Sequence, residues 1–227
     1  MGLTTGTGPF GPKAAGRHNA GRPDRFVLVE PFPRRVRAVR GGETVVDSDA
    51  VSLVHVAGAL PRYSFPDKDV RIDAGPDPEV PGQVTVPWDA VDAWFEEDER
   101  VVVHPRDPYH RIDTFATSRR VQVRLDGTEL ASSTRARLLT ETSLAPRWYL
   151  PRADVRMEQL ERSRTVTQCP YKGAAHYWSA RAGVRMARDA AWSYEDEVRG
   201  EGQAVQWLIA FDGTEVEISV DGVVQPA

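Results

Sequence analysis

The sequence contains a single cysteine, Cys169, among its 227 residues. One cysteine cannot form a disulfide within the chain, and a structural zinc site built from four cysteines is excluded as well. We therefore predict a protein of the reducing cytoplasm. We also predict no metal and no cofactor.

Long apolar runs and an excess of positive charge are also missing. No stretch approaches the roughly 18 apolar residues that suggest a membrane span, and the first 25 residues lack the apolar core of a secretory signal. We expect residues 1–24 to form a flexible tail. The net charge of −4 gives no reason to expect a nucleic-acid partner.

The sequence likewise contains no P-loop and no G-x-S-x-G elbow, so two common enzyme classes lose their usual support. What remains is the composition of a soluble globular protein, 41% hydrophobic and 27% charged. A chain of 227 residues is long enough for one large domain or two small ones.

An internal repeat favours two domains. Residues 34–73, RRVRAVRGGETVVDSDAVSLVHVAGALPRYSFPDKDVRID, align without a gap with residues 119–158, RRVQVRLDGTELASSTRARLLTETSLAPRWYLPRADVRME, at an offset of 85. Twelve of the 40 positions are identical, where average residue frequencies give roughly two or three. We predict two tandem related domains, residues 25–118 and residues 119–227.

Two later segments resemble each other, AWFEEDE at residues 93–99 and AWSYEDE at residues 191–197. If they are equivalent, the second copy carries 13 additional residues, because Arg71 to Trp94 spans 23 residues and Arg156 to Trp192 spans 36. The addition contains TQCPYKGAAHYW, which the first copy lacks. A site built on this motif therefore occurs once per chain.

Local signals predict mainly antiparallel β-structure with minor helix. DAVSLVHVA and TRARLLTET fit a strand or a short helix. WDAVDAWFEEDE predicts a helix with Trp88, Val91 and Trp94 on one face, and AHYWSARA gives a weaker helical signal. The dipeptides that supply the positive φ angles of hairpin turns are Gly41-Gly42, Asp126-Gly127, Asp212-Gly213 and Asp221-Gly222.

The motif around the cysteine holds the strongest candidates for chemistry. Cys169 lies three residues before Lys172, and a thiol beside a cation is a strong nucleophile, although a lone cysteine is also typical of inert packing. Lys172 presents an ammonium to a carboxylate, phosphate or carbonyl group, unless it is a solvated lysine in a turn. Glu141 is the third candidate, because the matched residue of the first copy is Val56.

Ligand contacts are predicted from nearby polar and aromatic residues. In an extended PRWYLPR segment, Arg147 and Tyr149 share one face and Trp148 lies on the other. A salt-bridged structural role is the alternative for Arg147. Tyr177 and Trp178 either line a pocket or build the core of the second domain.

The segment HPRDPYHRID, residues 104–113, is another polar cluster. Its histidines and Asp107 invite a metal interpretation, but its prolines exclude a regular helix, and a spacing of three does not align side chains on a strand. We predict a proline-shaped loop tied down by hydrogen bonds. His104, Arg106 and His110 would line a cleft between the copies.

The order of these motifs resembles a known family. The hairpin, LLTET, PRWYLPRADVRMEQL, TQCPYKGAAHYW, AAWSYEDE and a closing pair of strands are similar to the bacterial and fungal family called domain of unknown function 427. The second copy resembles it over its whole length, with CPYKG followed by YW as a specific signature. The first copy resembles the divergent partner of two-copy actinobacterial members.

This resemblance implies a small antiparallel β domain, similar to tent-like folds. The label nucleotidyltransferase-like, sometimes given to the family, brings no established mechanism, and the sequence shows no paired acidic residues set up for two-metal phosphoryl transfer. The residues that coincide with the family pattern are Glu141, Tyr149, Asp154, Cys169, Pro170, Lys172, Gly173, Tyr177, Trp178, Trp192 and Tyr194.

We therefore expect an enzyme or ligand-processing protein for a small molecule, with one pocket in the second copy. Glu141 would act as acid or base, Lys172 as the cation for an anionic or carbonyl group, and Cys169 as nucleophile or pocket wall. The alternatives are a binding module without chemistry and a structural protein whose tryptophans only pack. The sequence identifies no ligand and leaves a homodimer open.

Overall fold

A computed structural model describes residues 2–19 and 25–226 of the chain. The chain divides into two compact units, Met1–Arg111 with Thr142–Leu144, and Ile112–Glu141 with Ala145–Ala227. The division falls before Ile112, earlier than the predicted boundary at residue 119. In the described part of the chain no helix has the length and apolar character to cross a membrane.

The first unit is built from antiparallel strands. They pair in the orders β1-β4-β5-β7-β6 and β3-β2-β8-β9. Its core includes Leu53, Phe65 and Trp94, each at most 2% exposed. Short 3-10 helices lie at Asp67–Asp69 and Trp88–Ala90. The strands are β1 (Val27–Phe32), β2 (Val36–Arg40), β3 (Glu43–Ser48), β4 (Val51–Val56), β5 (Arg62–Pro66), β6 (Gly75–Pro76), β7 (Gln83–Thr85), β8 (Ala93–Glu96) and β9 (Glu99–Val101).

The second unit repeats this plan with longer strands. They pair in the orders β10-β13-β14-β18-β17-β16-β15 and β12-β11-β19-β20. The strands are β10 (Ile112–Ala116), β11 (Val121–Leu125), β12 (Thr128–Ser133), β13 (Arg137–Glu141), β14 (Arg147–Leu150), β15 (Leu160–Cys169), β16 (Gly173–Ala182), β17 (Arg185–Val198), β18 (Ile209–Phe211), β19 (Glu217–Val220) and β20 (Val223–Val224). The 3-10 helices are Arg152–Asp154, Met157–Gln159 and Gly200–Val205.

Side chains pack on both faces of the larger sheet of the second unit. One buried cluster contains Leu130, Leu150 and Phe211. A smaller cluster contains Tyr149 and Tyr194 and has Cys169, Tyr177 and Trp192 packed against it as partly buried members. Successive strand residues point to opposite faces, so the neighbours Tyr149 and Leu150 enter different clusters.

Strand registers recur at the offset seen in the sequence. The hairpin β2–β3 and the hairpin β11–β12 pair with the same register and the same irregularity, 85 residues apart. β1 with β4 and β10 with β13 also follow this offset. Ser48 Oγ donates to Asp69 Oδ2 at 2.7 Å, and Ser133 Oγ donates to Asp154 Oδ2 at the same distance. In both units, a serine–aspartate hydrogen bond therefore joins the end of the first hairpin to the 3-10 helix that follows it.

The expected equivalence of residues 93–99 and 191–197 is wrong. AWFEEDE forms β8 and its turn into β9, and β8 pairs with β2. AWSYEDE lies in β17, which pairs with β16 and β18. The strand that pairs with β11, the counterpart of β2, is β19. The two segments share five of seven residues, and such a local likeness does not specify a pairing partner. In the strand orders, β18 takes the place of β7 and β17 that of the two-residue β6, so the hairpin β15–β16 is what the second unit adds.

The predicted fold class, mainly antiparallel β with minor helix, is confirmed, and so are most of the predicted turns. The two ambiguous stretches are the strands β4 and β13. The predicted helix at WDAVDAWFEEDE is wrong, because only the 3-10 turn Trp88–Ala90 precedes strand β8. Trp88 stacks on Trp94, with ring centroids 5.3 Å apart, so tertiary packing determines the local structure. The turn at Asp212-Gly213 connects strands of different sheets and is no hairpin.

The amino-terminal segment differs from the predicted flexible tail. Residues 2–19 form a run of turns, in which Thr4 Oγ1 donates to Ala59 O at 3.0 Å and Phe10 stacks on Phe26 at 3.9 Å. Met1 and residues 20–24 lie outside the described residues. Residues 6–11, GTGPFG, match the spacing G-x-G-x-x-G, but these turns do not supply the strand and helix that a dinucleotide-binding loop requires.

Candidate functional site

Two strand ends and one turn bring the three chemical candidates together. Glu141 ends β13, Cys169 ends β15, and Lys172 lies in the turn before β16. Lys172 Nζ forms an ion pair with Glu141 Oε2. The side chains are almost inaccessible, 7% exposed for Lys172 and 6% for Glu141. The second unit thus buries a carboxylate and an ammonium in direct contact.

The turn that carries the lysine is held by its backbone. Lys172 N donates to Cys169 Sγ at 3.4 Å, and Arg199 N donates to Lys172 O at 3.1 Å. Gly173 has a φ of +103°, and a Cβ at this position would overlap the carbonyl oxygen of Glu197. A side chain is therefore incompatible with this close approach of two strands. The sequence CPYKG places the ammonium through this geometry.

Buried aromatic residues surround the ion pair. Tyr194 lies with its ring centroid 6.0 Å from Lys172 Nζ. Tyr149 OH accepts a hydrogen bond from Trp192 Nε1 at 3.1 Å. Burial raises the pKa of Tyr149 and the pKa of Tyr194 well above the usual value for tyrosine. Both phenols therefore remain protonated near neutral pH and act as neutral groups.

The predicted faces of β14 are confirmed. Arg147 lies over the ring of Trp192, with 5.8 Å from its guanidinium carbon to the ring centroid, and Tyr149 bonds the same indole. Trp148 and Leu150 pack in the other cluster. Because Arg147 and Tyr149 both contact Trp192, the guanidinium belongs to the same region as the ion pair.

The two aromatic residues of the YW pair, Tyr177 and Trp178, lie on opposite faces of the sheet. Tyr177 lies 6.3 Å from the ring of Trp192 and packs with the smaller cluster. Trp178 packs against the larger cluster and donates from Nε1 to Ser193 Oγ at 3.2 Å. The prediction that both line one ligand site is therefore wrong for Trp178, because neighbouring strand residues face opposite sides of the sheet.

The loop residues predicted to line the cleft belong to the first unit. His104 is buried, and its Nδ1 lies 2.6 Å from the carbonyl oxygen of the next residue. Burial lowers the pKa of His104. Arg106 N donates to Glu96 Oε1 at 3.3 Å, and His110 N donates to the carbonyl of Asp107 at 3.1 Å. These contacts describe a loop tied down by hydrogen bonds, as predicted. Its role as a cleft wall stays a prediction.

Sequence reasoning missed a buried carboxylate of the second unit. Glu195 is 3% exposed and pairs with Arg152 and with Arg162, the latter at 3.0 Å. Burial raises the pKa of Glu195, but hydrogen bonding by Ser193 and the two arginines outweigh burial and lower it. The segment AWSYEDE was interpreted only as a repeat of AWFEEDE. Its residues Ser193, Tyr194 and Glu195 are all buried, so no alternating pattern marks Glu195.

The fold and the site together define a small antiparallel β domain with a buried ion pair behind an aromatic wall. The model of the family described as domain of unknown function (DUF427) matches residues 113–222. This match covers the second unit and just under half of the chain, so the second unit is similar to this family, as the sequence resemblance indicated. No curated protein matches the chain.

Proposed function

We propose that the second unit carries out acid–base chemistry on a small polar molecule. Glu141 gives or accepts the proton, and Lys172 binds a carboxylate or carbonyl group of the same molecule. The chain would work in the cytoplasm, which its lone cysteine supports.

The observation that carries this proposal is the buried Glu141–Lys172 ion pair. Removing two charges from water costs several kcal/mol, and apolar residues of similar volume often give equal or greater stability. Retaining the pair therefore favours a chemical role. The first unit has Val56 where the second has Glu141, and it shares the same fold plan without this pair.

The surrounding residues fit an acid–base site. Arg147 and Tyr177 lie on Trp192, next to the buried phenol of Tyr149. A planar or anionic part of the ligand would contact the guanidinium and the aromatic rings. Cys169 accepts a hydrogen bond from the backbone of Lys172, which suits a pocket wall or a nucleophile.

The experiment begins with a thermal-shift screen of the full chain against common metabolites. A ligand that binds only the folded state raises the Tm. With that ligand, we expect Glu141→Gln to abolish turnover while the Kd changes less than about threefold, a binding difference below about 1 kcal/mol. Cys169→Ser separates its two roles, because a nucleophile is required for turnover and a wall is not. The matched control is Glu161→Gln, an exposed carboxylate on β15.

A binding module without chemistry is the second candidate. The observation that favours it is that Glu141 and Lys172 already form an ion pair with each other. Such a pair would shape a ligand cavity without taking part in a reaction. In that case Glu141→Gln and Lys172→Met would both weaken binding, and the wild-type chain would leave the ligand chemically unchanged in mass spectrometry.

We also infer that the two units descend from one duplicated β unit. The shared registers at an offset of 85 and the repeated serine–aspartate contacts support this origin. Under this history, the hairpin β15–β16 supplied the lysine and the cysteine to the second copy alone.

A further inference from the structure

We propose that the first unit contains a separate binding site, an aromatic-walled hollow that takes one small neutral aromatic molecule. The hollow has a volume of about 160 Å³ and lies beside the start of β5, the Trp88–Ala90 helix and the segment after β9. An apolar cavity of about 150 Å³ binds benzene. The hollow therefore has room for one aromatic ring.

Tyr63, Trp88 and Trp94 form part of its wall. The rings of Trp88 and Trp94 stack 5.3 Å apart, and Tyr63 lies 5.6 Å from Trp94. Tyr63 OH donates to Glu96 Oε1 at 2.6 Å and Trp94 Nε1 donates to Trp88 O at 3.0 Å, so these two polar atoms already have protein partners. The wall thus offers a ligand apolar ring surface, which suits another aromatic ring.

The charged groups of the lining restrict the ligand to a neutral molecule. Arg62 is bound to both carboxylate oxygens of Asp77, at 2.6 and 3.1 Å. His104 is held by the carbonyl of Pro105, and burial lowers its pKa, so its ring is neutral at physiological pH. A charged ligand would lose its hydration without gaining a new counter-ion.

The rim of the hollow contains a strained residue. Val103 has a φ of +69°, and His104 N donates to Val102 O at 2.8 Å, the pattern of a γ-turn in its rare form. A β-branched residue seldom adopts this conformation. Val103 is 48% exposed and Leu60, also in the lining, is 43% exposed. Strain of this kind concentrates at binding sites, where it holds a shape that folding alone does not require.

The test uses the full chain and fluorobenzene as the probe. We expect the wild-type protein to broaden the ¹⁹F signal of fluorobenzene in a saturable way. Leu60→Trp, at the exposed rim, and Val86→Phe, in the buried lining, fill the hollow and weaken binding at least about tenfold, or about 1.4 kcal/mol. Val166→Trp introduces the same tryptophan side chain at a position that is 48% exposed in the second unit, and we expect it to bind like the wild type.

Absence of saturable broadening by the wild-type protein would overturn the proposal. So would unchanged affinity in Leu60→Trp, which remains informative even where Val86→Phe fails to fold. Lys172→Met distinguishes this site from the acid–base site. We expect this variant to lose binding of the second unit's ligand and to bind fluorobenzene like the wild type.

Discussion

The two units bury different side chains next to strands that pair in the same register. The first unit places Val56 at the end of β4 and surrounds Trp94 with aromatic rings. The second places Glu141 at the end of β13 and pairs it with Lys172, which lies in the turn of the hairpin β15–β16. The strand that carries Glu141 therefore has a counterpart in the first unit, and the turn that carries Lys172 has none. This difference is the basis of the proposed acid–base role.

The largest effect that tests this comparison is expected from the ion pair. Lys172→Met or Glu141→Leu alone leaves one buried charge without its counter-ion, and we expect a loss of about 3–5 kcal/mol in the free energy of unfolding, measured by urea denaturation. The control is Arg181→Met on β16, whose pairing with Glu161 at 3.8 Å is exposed to solvent. That change should cost less than about 1 kcal/mol. Equal losses in both cases would remove the distinction between the buried pair and a surface pair.

The next effect concerns the turn that positions the lysine. Gly173→Ala introduces a Cβ that overlaps the carbonyl oxygen of Glu197, so we expect a loss of about 3 kcal/mol in unfolding free energy. Gly183→Ala is the matched control, with a φ of +57° but open space around its Cβ position. Its expected cost is about 1 kcal/mol. If the two substitutions cost the same, close strand approach does not fix the turn.

A smaller effect tests whether the same hydrogen bond stabilises both units equally. Ser48→Ala and Ser133→Ala each remove a hydroxyl that donates to an aspartate at 2.7 Å. Both serines are 3% exposed, so we expect each change to cost about 1 kcal/mol. Chemical denaturation of the two variants checks this expectation. A difference above about 1 kcal/mol between the two losses of stability would mean that the two serine–aspartate hydrogen bonds do not contribute equally.

The smallest effect appears only in acid. The pKa of Glu195 is lowered in the folded state from 4.5, chiefly by Ser193, Arg152 and Arg162 against the effect of burial. A lowered pKa adds stability that is present above the unfolded value and lost as pH falls through the folded one. Glu195→Gln should therefore make the fall of Tm below pH 4.5 shallower. A variant with an unchanged acid slope would show that Glu195 does not contribute to it.

Much of the fold is predictable from short-range patterns. The glycine-containing turns located the hairpins β2–β3, β11–β12 and β19–β20, and the repeat at an offset of 85 located the equivalent strands. The failures came from long-range pairing. AWSYEDE resembles AWFEEDE locally, yet β17 and β8 bond to different neighbours. A strand sequence specifies its buried face and leaves its partner to the rest of the chain.

The sequence pointed to the charged residues of the candidate site, but it predicted only part of how the site residues are arranged. The absence of a charge at Val56 pointed to Glu141, and the CPYKG turn pointed to Lys172. Trp178 was misplaced because alternation was not applied to the YW pair. The hollow beside Trp88 was missed because its lining comes from three separate segments of the first unit, residues 60–63, 86–94 and 103–105.

The most direct test of the account is the unfolding free energy of the double variant Glu141→Leu/Lys172→Met. If the ion pair is kept for chemistry, replacing both charges with apolar side chains should leave the protein as stable as the wild type or more stable, because the desolvation cost disappears. Such a variant should also lose the ligand-dependent rise in Tm. A double variant about 3 kcal/mol less stable than the wild type would contradict the account and assign the pair to the stability of the fold.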